Sequence, residues 1–275
     1  MMASGVTRPI GMFDSGFGGL TVARAVIDLL PAEDLVYIGD TGRYPYGPKP
    51  AAEVRGYAHE LAWSLVHDFD VKAIVIACNT AASVAFEELA AELPVPIISV
   101  IEPGAHALSL TTRNKKVGVI GTVGTIASGA YQRALAQADP TLQLTATACP
   151  GFVEFVERGT TSGDDVAILA EALLAPVRDA GVDALLLGCT HYPYLSRVIA
   201  DVMGPDVVLV SSGDETAFAL ADLLTKANSR QETGRTGIHQ FLSSGDVQWF
   251  ADLGRRLLGP ELANAQQWTT GGITT

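Results

Sequence analysis

Eight short apolar runs, with helical stretches between them, most constrain what this chain can fold into. They are IGMF (10–13), LVYIG (35–39), AIVIAC (73–78), IISVI (97–101), KVGVIG (116–121), LTATAC (144–149), ALLLGC (184–189) and VVLVSS (207–212). The runs are apolar throughout rather than alternating, the pattern of strands covered on both faces. Between them, Leu20 to Leu30 reads as a helix stopped by Pro31, and Val54, Tyr57, Leu61 and Leu65 form a stripe at helical spacing. Further helical patterns cover 82–92, 128–138, 164–180, 194–203, 214–226 and 246–258. Strand and helix in repeated alternation mean an α/β protein with mostly parallel sheets.

The alternation contains an internal echo. IGMFDS (10–15) lines up with VGVIGT (117–122), and VKAIVIACNTA (71–81) lines up with VDALLLGCTHY (182–192). The two offsets agree to within a few residues. Buried strands resemble one another in any α/β protein, so the apolar part is weak support. The shared ending is stronger: in each half a strand closes on a small residue, a cysteine and two polar side chains.

Composition narrows the classes. At 275 residues the chain is long enough for one large domain or two small ones. Apolar residues make up 48% and charged residues 17%, which suits a buried core and not disorder. With 18 basic against 30 acidic residues the net charge is −12, the opposite of a nucleic-acid-binding footprint or a polybasic membrane anchor. No apolar run approaches the ~20 residues needed to cross a bilayer. The first residues lack a signal-peptide core, and the three scattered cysteines are not a disulfide framework. A reducing cytoplasm is the expected location.

In open α/β sheets ligands bind beyond the carboxyl ends of the strands. FDSGFGG (13–19), GDTGRYPYG (39–47), ACNTA (77–81), GTVGT (121–125) and GCTHYP (188–193) all fall there. FDSGFGG is either an anion-binding turn or a tight turn that needs glycine. For a lone cysteine at a strand end, a buried structural thiol is the ordinary reading. Cys78 and Cys189 differ in having polar neighbours, Asn79-Thr80 and Thr190-His191. A zinc site would need four ligands gathered from distant segments, and a dithiol redox centre would show close spacing. Two thiols across a cleft suit proton transfer at both faces of one carbon. His191 is either a turn residue or the proton partner of Cys189. Asp14 is either a solvated cap or a group that tunes Cys78. Glu154, on the helical stretch of CPGFVEFVERG, reads as a surface residue from spacing alone, Cys149 as core, and Tyr44 to Gly47 as a turn.

With those residues in hand, the chain resembles the glutamate racemases of the cofactor-independent Asp/Glu racemase superfamily. The likeness is carried by FDSGFGGLTV, IGDTGRYPYGPK, ACNTAAS, GVIGTVGTIASGAYQ, ACPGFVEFVERG and LGCTHYPYL, in order over residues 10 to about 212, and FLSSGD (241–246) also fits. Gly42, Arg43 and Tyr44 stand at positions that vary in the family. The resemblance implies two pseudo-twofold-related, doubly wound α/β domains, 1–101 plus 213–275 and 102–212, with the active site in the cleft. It implies interconversion of L- and D-glutamate, with D-glutamate supplied to peptidoglycan and so to cell shape, no cofactor and no metal. Cys78 would handle the α-proton of D-glutamate and Cys189 that of L-glutamate. Asp14 would assist Cys78, and Glu154 with His191 would assist Cys189. Asp14, Ser15, Tyr46, Gly47, Asn79, Thr80, Thr122, Thr190 and His191 would contact substrate, and Asp40 falls in a motif lining the site. A homodimer is expected, with no nucleic-acid or membrane partner. Aspartate or another acidic amino acid is the alternative substrate. A non-catalytic role, such as gyrase binding, rests on acidity alone.

The residues give one more expectation. None of the five lysines (49, 72, 115, 116, 226) lies in a strand-end motif, and these motifs hold hydroxyls and backbone N–H groups but almost no cations. Substrate carboxylates should therefore be held by neutral donors and helix N-termini.

Overall fold

The alternation resolves into two sheets whose strand orders repeat. In the computed structural model, which describes residues 6–231, 234–262, 264–269 and 272–273, the first half gives β1 (Ile10–Asp14), β2 (Leu35–Gly39), β3 (Ala73–Ile76) and β4 (Ile97–Ser99). The helices α1 (Leu20–Leu29), α2 (Ala51–Phe69) and α3 (Asn79–Glu92) connect them, and α4 (Ile101–Thr111) leads out. The second half gives β5 (Lys116–Gly121), β6 (Gln143–Ala148), β7 (Ala184–Gly188) and β8 (Val208–Val210). Between these lie α5 (Val123–Ala127), α6 (Ala130–Ala138), α7 (Phe152–Glu157), α8 (Asp164–Asp179), a 3-10 turn at Tyr192–Leu195 and α9 (Ser196–Met203). The chain then returns through α10 (Ser212–Lys226), β9 (His239–Ser243), α11 (Val247–Leu258), β10 (Ala265–Thr269) and β11 (Gly272–Ile273).

The first sheet runs β11-β10-β9-β2-β1-β3-β4 and the second β6-β5-β7-β8, so four strands of each half share one order. All pairings are parallel except β10 with β11. The internal echo is this order: β1 corresponds to β5, and β3 to β7. The strands β1, β2, β3 and β7 are buried at every position, as their apolar runs require. The edge strand β6 is only half-buried, and its sequence accordingly mixes threonine with apolar residues.

Two stretches differ most from the sequence reading. The run 97–101 stops as a strand at Ser99, and α4 starts at Ile101. Pro103 and Gly104 in its first turn disguise this helix, although proline is tolerated there because the first N–H groups lack intrahelical partners. Strands β9 to β11 widen the first sheet beyond β2, and their polar content hides them in the sequence. Among the described residues no helix is long and apolar enough to cross a membrane.

Candidate active site

The carboxyl ends of the two sheets face one another across a cavity with an empty volume of about 620 Å³. Ser15, Tyr46, Gly47, Asn79, Thr80, Thr122, Thr190, Glu154 and His191 line it together with both Cys78 and Cys189. Cys149, Pro150, Gly151 and Val153 are also in its lining, so the third thiol borders the site although it is buried. No Lys or Arg is among the lining residues.

Cys78 follows β3 and caps α3: its Sγ accepts from Ala81 N at 3.5 Å. Its thiol donates to Ser15 Oγ at 3.6 Å. A helix N-terminus draws a thiol toward the thiolate, but here the opposing effects win. Burial, reinforced by the charge of Asp14, pushes the Cys78 thiol up to about 12. Asp14 ends β1 and is fully buried; Oδ2 accepts from Gly16 N at 2.9 Å, and Thr190 Oγ1 lies 3.5 Å from Oδ1. Burial raises its pKa despite the opposing field of His191.

The Cys189 side is built on β7 and the 3-10 turn. Cys189 Sγ lies 3.8 Å from His191 Nδ1, and His191 Nε2 lies 3.1 Å from Glu157 Oε1. Phe17 meets the imidazole edge-on with ring centroids 4.8 Å apart. Burial works against a charged imidazole, but the bonds to Cys189 and Glu157 outweigh it and hold the His191 pKa at about 10. Glu157 is itself raised by burial, with His191 pulling the other way.

The carboxylate in contact with His191 is Glu157, a residue the sequence reading did not name; Glu154, which the resemblance sets with His191 near Cys189, lies on the same helix. Glu154 borders the cavity but is exposed. The two lie three residues apart on one short helix, hence on one face, so spacing cannot separate them. Glu157 has a side chain only 10% exposed. Burial was the deciding signal, and the sequence does not print it.

Hydrogen bonds stitch the halves together around the cavity. Thr80 Oγ1 lies 2.9 Å from Thr122 Oγ1 and 3.2 Å from Thr125 Oγ1. Asn79 Nδ2 donates to Tyr131 OH at 2.7 Å, while Asn79 Oδ1 is buried with no partner among the described residues. Gly124 N donates to Gly47 O at 3.1 Å. Gly18 and Gly19 of FDSGFGG are required by close approach: a Cβ on Gly18 would lie 2.4 Å from Thr190 Oγ1 and 2.6 Å from His191 Nδ1, and one on Gly19 2.6 Å from Asp14 Cβ. The motif is where the first half leans on the second. Asp40, fully buried, stands behind Tyr46 and accepts its hydroxyl proton at Oδ2.

The Asp/Glu/hydantoin racemase family model matches residues 18–219. The chain belongs to this racemase family. It is therefore a racemase, an enzyme of the isomerase class. It is 48% identical over 273 residues to the glutamate racemase of Corynebacterium kroppenstedtii, covering 92% of this chain and 94% of that protein. Its fold superposes on the crystal structure of glutamate racemase isoform RacE1 from Bacillus anthracis with a TM-score of 0.90 at 39% identity, covering 96% of this chain and 97% of that one. It is also similar to the glutamate racemase of Francisella tularensis solved with D-glutamate, with a TM-score of 0.88 at 34% identity and coverage of 96% and 98%. The family's two-sheet architecture is the one described above.

Proposed function

We infer that this racemase interconverts L- and D-glutamate by moving protons between Cα and two cysteines. The observation that carries the reading is the pair of thiols at matching strand ends of the two halves, on one cavity, with opposite electrostatic surroundings. The substrate comes from the relatives, which are named glutamate racemases over nearly their whole length. Residues 1–101 with 213–275 act as one lobe and 102–212 as the other, a division supported by sheet membership.

In the L-to-D direction Cys189, as thiolate, takes the Cα proton of L-glutamate. The C–H electron pair moves into the α-carboxylate, and the Cys78 S–H proton arrives on the opposite face. Cα inverts, leaving Cys189 as thiol and Cys78 as thiolate; the return reaction runs these steps backward. His191, charged at neutral pH, sets a cation 3.8 Å from the Cys189 sulfur. Cys78 stays a thiol at neutral pH, as a proton donor must. The substrate ammonium would donate to Asn79 Oδ1, which is buried without a partner among the described residues. The hydroxyls of Ser15, Thr80, Thr122 and Thr190 and the N-terminus of α3 supply neutral donors for the carboxylates. Alignment of two groups on one carbon contributes roughly 7–11 kcal/mol, and fixed donors on the developing charge contribute about 3–4 kcal/mol each. The D-glutamate formed would supply peptidoglycan in the cytoplasm, and the enzyme would work as a homodimer.

Proton NMR of the purified protein in D₂O tests this. Deuterium entering Cα of both glutamate enantiomers, with loss of optical activity and no reaction of aspartate, is the expected result. Exchange with aspartate alone would keep the chemistry and overturn the substrate. No exchange from folded, reduced protein would overturn the reading.

A further inference from the structure

One wall of the cavity, Tyr44 to Pro48, belongs to no helix or strand, so something else must hold its shape. The support starts at Asp40. Its Oδ2 accepts from Tyr46 OH and, at 2.7 Å, from Arg43 Nε; its Oδ1 accepts from Ser244 Oγ at 2.5 Å. Arg43 reaches on to Glu60 of α2 through Nη1. Its guanidinium carbon lies 4.3 Å from the centroid of the Tyr57 ring and 5.7 Å from that of Trp268 on β10. Trp268 is 3% exposed and is fixed by Nε1, which donates to Ser64 Oγ at 2.9 Å. At the far end of the loop, Gly47 O accepts from Gly124 N, and a Cβ on Gly47 would lie 2.9 Å from Thr122 Cβ. An unbroken line of contacts thus joins β10 to the substrate cavity and to the second half.

We propose that Arg43, gripped between Tyr57 and Trp268, is a positioning residue for the racemase reaction. It touches no substrate. It fixes Asp40 and, through it, Tyr46 and Gly47, so β10 sets the shape of one cavity wall. The planar fork is needed: it bonds Asp40 and Glu60 at once while stacking on two rings, which a lysine ammonium cannot do. The two thiols do not depend on this line, so its loss should weaken substrate binding more than proton transfer. The activity readout rests on the glutamate reading given above; the structural readout does not.

The test compares the parent with Arg43→Met, Arg43→Lys, Trp268→Leu, Trp268→Phe and the Arg43→Met/Trp268→Leu double variant. KM and kcat are measured for both glutamate enantiomers, and amide hydrogen exchange is followed by peptide. Arg43→Met should raise KM about 10-fold or more while kcat stays within about 3-fold, since misplacing a binding wall by an ångström is that costly. Exchange should quicken in peptides covering 41–49 and Gly124, with β1 and β3 still protected. Arg43→Lys should not rescue KM, Trp268→Leu should give the same change in smaller degree, and Trp268→Phe should return toward the parent. The double variant should be no worse than Arg43→Met, because both act on one line of contacts. A folded Arg43→Met protein with parental KM and parental loop exchange would overturn the proposal. So would a variant in which kcat, KM and protection of the whole first sheet fail together, which is a folding defect. A parent inactive on both enantiomers would sink the glutamate reading, and the exchange data would still decide the loop.

Discussion

The two halves of the molecule share a strand order and place a cysteine after the third strand, yet they surround that cysteine with opposite charges. In the first half β1 ends in Asp14, and its carboxylate with burial pushes the Cys78 thiol up to about 12. In the second half β5 ends in neutral Gly121 and Thr122, and Cys189 faces an imidazole held at about 10 by Cys189 itself and Glu157. A symmetric scaffold carries an asymmetric pair. In the proposed two-base reaction one thiol gives a proton while the other takes one, and the return reaction swaps the roles. Groups whose surroundings push their proton affinities apart are how one site holds an acid and a base at the same pH. The Asp14–Thr190 contact ties the two environments together across the cleft.

The largest expected effect breaks the pair. Cys78→Ala and Cys189→Ala should each lower racemisation in both directions by at least ~1,000-fold, the scale of losing a general acid or base. The asymmetry should survive in what remains. Deuterium wash-out from Cα should persist at a low level only with L-glutamate in Cys78→Ala, and only with D-glutamate in Cys189→Ala. Near-parental turnover in either variant would end the two-base assignment. Wash-out from the same enantiomer in both would end the facial assignment.

Much of this comparison is legible in the chain. The apolar runs gave the strands, and the repeated small-Cys-polar-polar ending located both thiols before any geometry was known. What the sequence left out has physical causes. Helix α4 hides behind Pro103 and Gly104, which break helices except in the first turn. Strands β9 and β10 lie toward one side of the sheet, with only part of their surface buried, and so lack the continuous apolar signal. Glu157 could not be told from Glu154 because both lie on one helical face and only burial separates them. Nothing local in the sequence marks the contact of Arg43 with Trp268, which lies more than 200 residues away.

The next effect sharpens the second half. Glu157→Gln should cost roughly 10- to 100-fold in kcat/KM, since it removes a charged partner from a buried imidazolium at about 1.5–3 kcal/mol. Glu154→Gln, at an exposed position, should stay within about 3-fold. The pH profile separates the two further. His191 has its folded pKa raised from 6.5 to about 10, so its contribution to stability is fully present below about pH 6.5, while its charge in the folded protein persists at neutral pH. Both are lost as pH rises through about 10. Activity should therefore fall on the alkaline side near that value. Glu157→Gln removes one of the bonds holding the imidazolium, so its alkaline limb should move to lower pH. Glu154→Gln should leave the limb in place. A limb that ignores Glu157 would detach His191 from the Cys189 side.

The smallest effect concerns the third thiol, which neither half's echo contains. Cys149 lines the cavity, and burial pushes it up to about 12, so it stays protonated at neutral pH as Cys78 does. What distinguishes it is that its backbone does the bonding. Its N–H donates to Gly121 O at 2.9 Å and its carbonyl accepts from Tyr192 OH at 3.0 Å. Its sulfur has only a weak contact, 3.9 Å from Thr147 O. It follows β6, one strand removed from β7, and the nearby Cys189 adds to the burial that raises it. Cys149→Ala keeps both backbone bonds and removes about one methylene-sized group from a buried site. The expected cost is about 1 kcal/mol of stability, read as a Tm lower by roughly 2–4 °C, with turnover within about 2-fold. A large loss of turnover at an unchanged Tm would mean that the third thiol takes part in the chemistry. The reaction would then no longer be a matter of two matched halves.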